Sequence, residues 1–292
     1  MDTSPNRQKD GEGDVGDLSR LPTDEEARHN ALCGQMTKLA LDHAISIIFS
    51  PPLGKFTPLN GDKIGTVTLP LGPGKIESAT GCVLQLQDAY FVVTAEHVLE
   101  GYETRIKNGE ELNWQVGELR FDPLSRVVWR GNAKPRPKDI VFLRVSEKEA
   151  NEACANRTRI ISAPTEWPPP APNVGQLVLL AGYPSQLREV DNGTIRPGPL
   201  SAMLLVTRST GDGTFKCDSK YADLASFDSH ALPVEDLPGD IGGVSGGPVF
   251  RIEDSINPFI FVGVISQHWN PFGEIDSFVI EGVDGVPSSF TS

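Results

Sequence analysis

The chain has 292 residues and a mass of 31.6 kDa, enough for two modest domains or one large one. Hydrophobic residues make up 38% and charged residues 22% of the sequence, which is ordinary for a soluble globular protein. The net charge of −13 argues against a nucleic-acid backbone or an anionic membrane as partner.

Solubility is the simplest explanation of this acidic charge, although a preference for cationic peptides is also open. No stretch of the sequence approaches the apolar length that spans a bilayer. The 29 glycines and 24 prolines are scattered between short apolar runs, a texture that favours an all-β protein with many turns over a helical one.

Residues 1–22 are polar and acidic and predict a disordered tail. They contain no apolar run of the kind found in secretory signals. The four cysteines are widely spaced and form no CxxC pair, which predicts free thiols in a reducing compartment rather than a disulfide framework or a zinc site. We therefore expect a cytoplasmic protein.

Residues 23–50 predict an N-terminal helix. Thr23 and Glu26 form a capping-box pattern with Thr23 as the N-cap. Positions at helical spacing then follow: Leu32, Met36, Leu39, His43 and Ile47. Because Pro51 stops the pattern, the helix is expected over residues 24–48. It could brace the domain that follows, cover a cleft or bind a regulatory protein partner.

From residue 64 onwards the sequence predicts short strands separated by turns. The predicted strands are Ile76–Gln87, Ala89–Thr94, Val127–Trp129, Ile140–Val145, Leu177–Tyr183, Ala202–Thr207, Phe215–Ser219, Pro248–Ile252 and Phe259–Ser266. A stiff proline-rich connector within 151–172 divides them into two halves. Two antiparallel halves of similar size predict two small barrels, over 53–150 and 173–292, with a cleft between them.

The run Gly243–Pro248 places a serine, Ser245, among glycines. Such a turn exposes the hydroxyl and aims consecutive backbone N–H groups into one small space, where they could hold the negative charge that develops on a carbonyl oxygen during acyl transfer. Taken alone, the run also fits an ordinary glycine-rich turn or the GxSxG nucleophile elbow of α/β-hydrolases. The elbow requires an acid and a histidine after the serine in a strand–helix alternation, and that rhythm is absent from the sequence.

A serine hydroxyl needs a base to remove its proton, and the base must itself be oriented. Of the five histidines, only His97 follows a strong predicted strand, which places it at a sheet rim before a short helical turn. Asp139 immediately precedes the predicted strand Ile140–Val145. An acid at this position can be half buried and accept a hydrogen bond from a histidine N–H. Each residue alone is also compatible with an ordinary loop position.

Three blocks of sequence contain these residues in the order His, Asp, Ser: VVTAEHV with His97, KDIVFLRV with Asp139 and GVSGGPVF with Ser245. Together they resemble the three signature blocks of the trypsin-like serine peptidase family, in that family's order. Two supporting segments also fit, because Leu180–Pro184 resembles a strand end common in bacterial members and Gly263–Ser266 resembles the strand that lines the substrate channel. The likeness covers about residues 64–282.

The resemblance implies an all-β fold of two antiparallel six-stranded β-barrels of the chymotrypsin type, with the N-terminal helix and disordered tail outside it. It implies a serine endopeptidase that acts on protein or peptide substrates without a metal or other cofactor. Ser245 would attack the scissile carbonyl, His97 would take and return the proton, and Asp139 would orient His97. The backbone N–H groups of Gly243 and Ser245 would form the oxyanion hole.

The resemblance also assigns substrate contacts. Ser266, Gln267 and His268 would form the wall on which substrate backbone pairs as an added strand. Trypsin's specificity acid falls at Gly239, and the neighbouring Asp240 could serve a basic side chain. A neutral specificity pocket is equally consistent with these residues.

Three positions depart from the secreted members of the family. Val98 stands where a disulfide cysteine follows the histidine, and Val244 replaces the aspartate that binds a newly cut N-terminus. These departures imply a bacterial-type intracellular member whose site is formed constitutively or controlled by a partner. Glu96, beside His97, is unusual among the digestive members and is expected to face solvent.

Two other functions stay open at this point. A trypsin-fold binding or scaffold module with little turnover is the first, although the complete set of His97, Asp139 and Ser245 argues against it. An acyl hydrolase on a different fold is the second, and the order of the three blocks disfavours it.

Overall fold

The chain is described here by a computed structural model. The residues that it describes are 34–51, 67–68, 76–131, 137–155, 158–187, 189–191, 194–196, 198–218, 242–253, 259–269, 277–288 and 290. The predicted tail over residues 1–22 and the first ten residues of the predicted helix lie outside this part.

Strands dominate the described residues. They are β1 Ile45–Ser50, β2 Val67–Thr68, β3 Glu77–Leu86, β4 Ala89–Thr94, β5 Asn113–Val116, β6 Leu119–Arg120, β7 Val127–Arg130, β8 Val141–Val145, β9 Ile161–Ser162, β10 Leu177–Gly182, β11 Glu189–Asp191, β12 Thr194–Arg196, β13 Leu200–Ser209, β14 Thr214–Asp218, β15 Pro248–Ile252, β16 Phe259–Trp269 and β17 Ser277–Gly282. The α-helices are α1 over residues 34–41, α2 Glu96–Lys107 and α3 Glu147–Ala153.

The N-terminal helix ends earlier than its pattern predicts. Helix α1 stops at residue 41, and residues 45–50 form strand β1, so the predicted extension to residue 48 is wrong. All six residues of β1 are buried, and the strand pairs with β3 on one side and β5 on the other. Its isoleucines, which are β-branched, pack well in a sheet flanked on both sides.

The first unit is one sheet in the order β6-β5-β1-β3-β4-β8-β7, with β9 added parallel to β3. Its buried side chains form one cluster, which includes Ile47, Val83, Val92, Trp114 and Leu143. The sheet therefore curls around this core. It has eight strands in the described part rather than the six that the resemblance implies, because β1 and the short β9 join it.

The second unit is a closed barrel of six antiparallel strands in the order β10-β13-β14-β17-β16-β15. Its interior is apolar and includes Val178, Leu204, Phe215, Ile265 and Ile280. A separate small sheet joins β11, β12 and β2. The predicted all-β architecture with two barrels is confirmed.

The two units share a third core cluster. It brings Phe91 and Phe142 of the first unit together with Leu179 and Phe250 of the second. Helix α1 packs onto the same region, where the His43 ring lies 5.3 Å from that of Phe250 and burial lowers the pKa of the imidazole. This apolar contact fixes the two units side by side and leaves the ends of their strands to form a cleft.

The cysteines within the described residues, Cys82, Cys154 and Cys217, are buried free thiols. Burial raises the pKa of each thiol, that of Cys154 to about 12. They act as small apolar groups in the cores. No helix of the described part is long and apolar enough to cross a membrane.

Candidate active site

His97 is presented by the junction of β4 and α2. Strand β4 ends at Thr94, Ala95 is the N-cap residue, and His97 is the second residue of the helix. Ala95 is fully buried and Val98 nearly so, which anchors the turn while the imidazole stays half exposed. The predicted short helical turn is a 12-residue helix, α2.

Asp139 holds His97 at two points. Its Oδ2 lies 2.6 Å from His97 Nδ1, and its Oδ1 accepts a hydrogen bond of 2.8 Å from the backbone N–H of His97. Because an ionised carboxylate only accepts hydrogen bonds, Nδ1 carries the proton and Nε2 presents a lone pair to the cleft. The sequence blocks around these residues lie far apart in the chain, and the fold brings them into contact.

A third hydrogen bond reaches the same carboxylate. Ser266 Oγ donates to Asp139 Oδ2 at 2.6 Å, and Ser266 is only 2% exposed. Burial by itself raises the pKa of Asp139, but the hydrogen bonds from His97 and Ser266 outweigh burial and hold that pKa below its usual value. The carboxylate is therefore ionised at neutral pH.

Ser245 lies in a turn whose glycines are required by geometry. Gly243 and Gly246 have φ of +101° and +87°, in the left-handed region. A Cβ on Gly246 would lie 2.1 Å from both the Thr80 carbonyl oxygen and Thr94 Oγ1. The glycine pattern of the sequence therefore reflects a backbone that is pressed against the end of the first unit.

The Ser245 hydroxyl points toward β16. It donates to the Ser266 carbonyl oxygen at 3.3 Å and, among the contacts of the described residues, makes no hydrogen bond to His97. Ser245 and His97 nevertheless line the same two cavities, of about 580 and about 140 Å³. Catalytic hydrogen bonds are often long before substrate binds, so this geometry is compatible with a nucleophile and its base.

The two cavities differ in chemical character. The larger one contains several carboxyl groups and is lined by Glu96, Glu100, Pro137, Lys138, Asp139, Ser266, Gln267 and Glu281. The smaller one mixes polar and apolar groups, with a single carboxyl group in its lining, and is lined by Phe49, Glu77, Ser78, Ala79, Val98, Gly101 and Gly243. His97 and Ser245 stand between these compartments.

Glu96 and Glu281 are buried acids of the larger cavity that the sequence interpretation did not place there. Glu96 is 2% exposed, so the expectation that it faces solvent is wrong; the fold turns it inward, where Arg130 Nη1 lies 3.3 Å from its Oε1. Burial raises the pKa of both carboxyl groups to about 7. Alternation along β17 places Glu281 on the face opposite the barrel residues Phe278 and Ile280, so no local signal marked either acid as buried.

The other predicted substrate contacts have separate positions. Gln267 is exposed and lines the larger cavity. The backbone of His268 pairs with Phe278 in the barrel. Asp240 lies outside the described residues. Within the described part, no group of three or more His, Cys, Asp or Glu side chains is placed to hold a metal ion.

Two joined β units with a His–Asp pair and a glycine-flanked serine at their junction define the class of chymotrypsin-fold serine proteases. The family model described as Trypsin matches residues 73–275, which is most of the chain. The chain therefore belongs to the trypsin family, whose members are trypsin-like serine proteases.

Solved structures similar to this chain include two proteases. One is a thermostable serine protease, AL20, from an extremophilic microorganism, with 15% identity, coverage of 83% of this chain and 91% of that chain, and a TM-score of 0.44. The other is the protease Anisep from Arthrobacter nicotinovorans, with 13% identity, coverage of 83% and 90%, and a TM-score of 0.40. No curated protein matches the chain.

Proposed function

We propose that this protein is a serine endopeptidase with Ser245 as nucleophile, His97 as general base and acid, and Asp139 as the group that orients His97. The observation that carries the proposal is the bond of 2.6 Å between His97 Nδ1 and Asp139 Oδ2, beside the cavities that His97 shares with Ser245. A partly buried, hydrogen-bonded carboxylate behind a half-exposed imidazole is the arrangement that activates a serine hydroxyl.

The first half of the reaction acylates the serine. Ser245 Oγ turns from the Ser266 carbonyl to His97 Nε2, gives up its proton and forms a bond to the carbonyl carbon of the peptide. The N–H groups of Gly243 and Ser245 stabilise the negative charge on the carbonyl oxygen. His97 then donates the proton to the leaving amine as the C–N bond breaks, which leaves an acyl-enzyme.

The second half repeats the same steps with water. His97 Nε2 takes a proton from the water, whose oxygen attacks the ester carbon, and then returns it to Ser245 Oγ as the acid product leaves. Each transfer passes through an imidazolium ion. Asp139, kept ionised by its hydrogen bonds, stabilises that cation.

An open strand edge supports a peptide as substrate. Strand β15 pairs with β16 only as far as Val264, whereas β16 continues to Trp269 and pairs with β17. Over Gln267–Trp269, the other edge of β16 has no strand partner within the described residues. An extended peptide that adds to this edge as a strand would run past Ser245 and the larger cavity.

A fluorophosphonate probe tests the proposal. We expect the wild-type protein to be labelled covalently on Ser245, as located by peptide mass mapping, and to cleave peptides from a substrate library. Ser245→Ala should abolish both. The exposed Ser125→Ala variant, whose serine lies in a surface turn, should keep both.

A trypsin-fold binding module with little turnover is the second candidate. It is favoured by the hydrogen bond of Ser245 to the Ser266 carbonyl, because this bond holds the hydroxyl away from its base. A folded wild-type protein that resists the probe, yet binds peptides at the open edge of β16, would establish this alternative and refute the peptidase.

A further inference from the structure

Thr80, in strand β3, ties the first unit to the loop that carries Ser245. It is fully buried. Its Oγ1 donates to the Gly243 carbonyl oxygen at 2.7 Å, and its backbone N–H donates to the Ser245 carbonyl oxygen at 3.0 Å. Both contacts therefore fall on the two residues whose N–H groups form the proposed oxyanion hole.

The same side chain also reaches the second barrel. Thr80 Oγ1 accepts a hydrogen bond of 2.9 Å from the backbone N–H of Tyr183, at the end of β10. The Thr80 carbonyl oxygen accepts one of 2.7 Å from Thr94 Oγ1, three residues before His97. Thr80 thus connects the strand that leads to His97, the loop of Ser245 and the barrel behind that loop.

Every carbonyl of the loop from residue 242 to residue 245 is hydrogen bonded. The Gly242 carbonyl accepts from the backbone of Ser185, the Val244 carbonyl accepts from the backbone of Gly247, and Thr80 satisfies the other two. In a trans peptide the N–H points away from the carbonyl of the same unit. The anchored carbonyls of Gly242 and Val244 therefore orient the N–H groups of Gly243 and Ser245. The anchored carbonyl of Gly243 orients the peptide between them, whose N–H is that of Val244.

Of these four anchors, the bond to the Gly243 carbonyl is the one made by a side chain. Glycine at a φ of +101° has other backbone conformations within reach, so the peptide that follows Gly243 depends on this bond for its orientation. Val244 cannot supply an ion pair, because it is apolar, 1% exposed and packed in the core of the second barrel.

We infer that Thr80 is a positioning residue. It fixes the Gly243–Val244 peptide, which lies between the two peptides that carry the proposed oxyanion N–H groups of Gly243 and Ser245, and so keeps both donors in place without a newly cut N-terminus. The inference rests on the proposed peptidase function. Thr80 itself touches no substrate; it acts through the backbone of Gly243.

Substitution of Thr80 separates this role from that of an ordinary buried hydrogen bond. Thr80→Val keeps the shape of the side chain and removes its donor and acceptor, while Thr80→Ser keeps the hydroxyl. Thr37→Val is the matched control, because Thr37 is also fully buried and donates to the Gly34 carbonyl oxygen at 3.1 Å, in helix α1. Folding of each variant is checked by circular dichroism.

We expect Thr80→Val to lower kcat on a peptide substrate by a factor on the order of 100 to 1,000, the size of effect seen when one oxyanion donor is lost. KM should stay within a few-fold of the wild-type value, and labelling by the fluorophosphonate should slow in parallel with kcat. Thr80→Ser should recover most of the loss. Thr37→Val should leave kcat unchanged.

A folded Thr80→Val protein with wild-type kcat, or a Thr80→Ser protein as impaired as Thr80→Val, overturns the inference. If Thr80→Val does not fold, Thr80→Cys, which keeps only a weak donor, must show the loss in kcat without a change in KM.

A folded wild-type protein that neither cleaves peptides nor reacts with the probe refutes the peptidase function and with it the role of Thr80. An active wild-type enzyme that is indifferent to Thr80 refutes the positioning role alone.

Discussion

The hydroxyl of Ser266 donates to Asp139 Oδ2 at 2.6 Å. The carbonyl oxygen of the same serine accepts the hydroxyl of Ser245 at 3.3 Å. One residue of β16 therefore contacts both ends of the proposed triad, and its main chain begins the edge on which we propose that substrate pairs. Ser266 therefore links the charge state of Asp139, the position of the Ser245 hydroxyl and the proposed binding of peptide.

Removing that hydroxyl should weaken catalysis without removing the triad. Ser266→Ala deletes one buried donor to a charged, partly buried carboxylate, a contact worth about 1.5–3 kcal/mol. We expect kcat to fall between about 10- and 100-fold, as measured with a peptide ester in steady state. Ser125→Ala should have no effect. A folded Ser266→Ala enzyme with wild-type kcat would show that the hydrogen bond does not support Asp139.

Loss of the nucleophile or the base should be far more severe. Ser245→Ala and His97→Ala are each expected to lower turnover by a factor on the order of a million, with substrate binding little changed. The double variant should be no slower than either single variant, because the two groups act as a unit. Turnover is read from peptide cleavage and binding from fluorescence anisotropy. A modest loss in either single variant would mean that the triad is misassigned.

Stability should depend on pH through Glu281. Burial raises the pKa of this carboxyl group to about 7 in the folded protein, above its ordinary value near 4.5. The folded state therefore favours the protonated acid. The contribution of protonated Glu281 to the free energy of unfolding is complete below about pH 4.5 and is lost as the pH rises through 7. Glu96 has a raised pKa of the same size and adds to the trend.

Glu281→Gln, which cannot ionise, should flatten this dependence. We expect the free energy of unfolding in urea to fall less between pH 5 and pH 8 than in the wild type, by an amount on the order of 2–3 kcal/mol. The exposed Glu111→Gln serves as the control. A wild-type protein whose stability rises over this interval, or a Gln variant with an unchanged slope, contradicts the prediction.

A methyl group on Gly246 should disrupt the loop of Ser245. The added Cβ would lie 2.1 Å from the Thr80 carbonyl oxygen, at a φ of +87°. Gly211 also has a positive φ, of +77°, but a Cβ there meets nothing within 4 Å. Gly246→Ala should therefore cost about 3 kcal/mol or more and abolish probe labelling, whereas Gly211→Ala should cost about 1–2 kcal/mol and stay active. Equal costs in thermal unfolding would argue against close packing at Gly246.

The features that sequence patterns indicated are the ones encoded over a few neighbouring residues. The strand before His97, the strand after Asp139 and the glycines around Ser245 are each visible within about ten residues. Strands β4 and β15 match their predicted bounds for the same reason. The helix predicted over 24–48 is wrong at its C-terminal end. Residues 45–50 form a strand instead, because they pair with β3 and β5.

The sequence by itself determined the two-barrel class, the order of the three blocks and the need for glycine beside Ser245, since periodicity and backbone sterics are local. Only the tertiary structure decided that Asp139 lies against His97 and Ser266, that Glu96 and Glu281 are buried, and that Thr80 holds the Gly243 carbonyl. These relationships join residues far apart in the chain. They depend on how the two units dock, which no local pattern encodes.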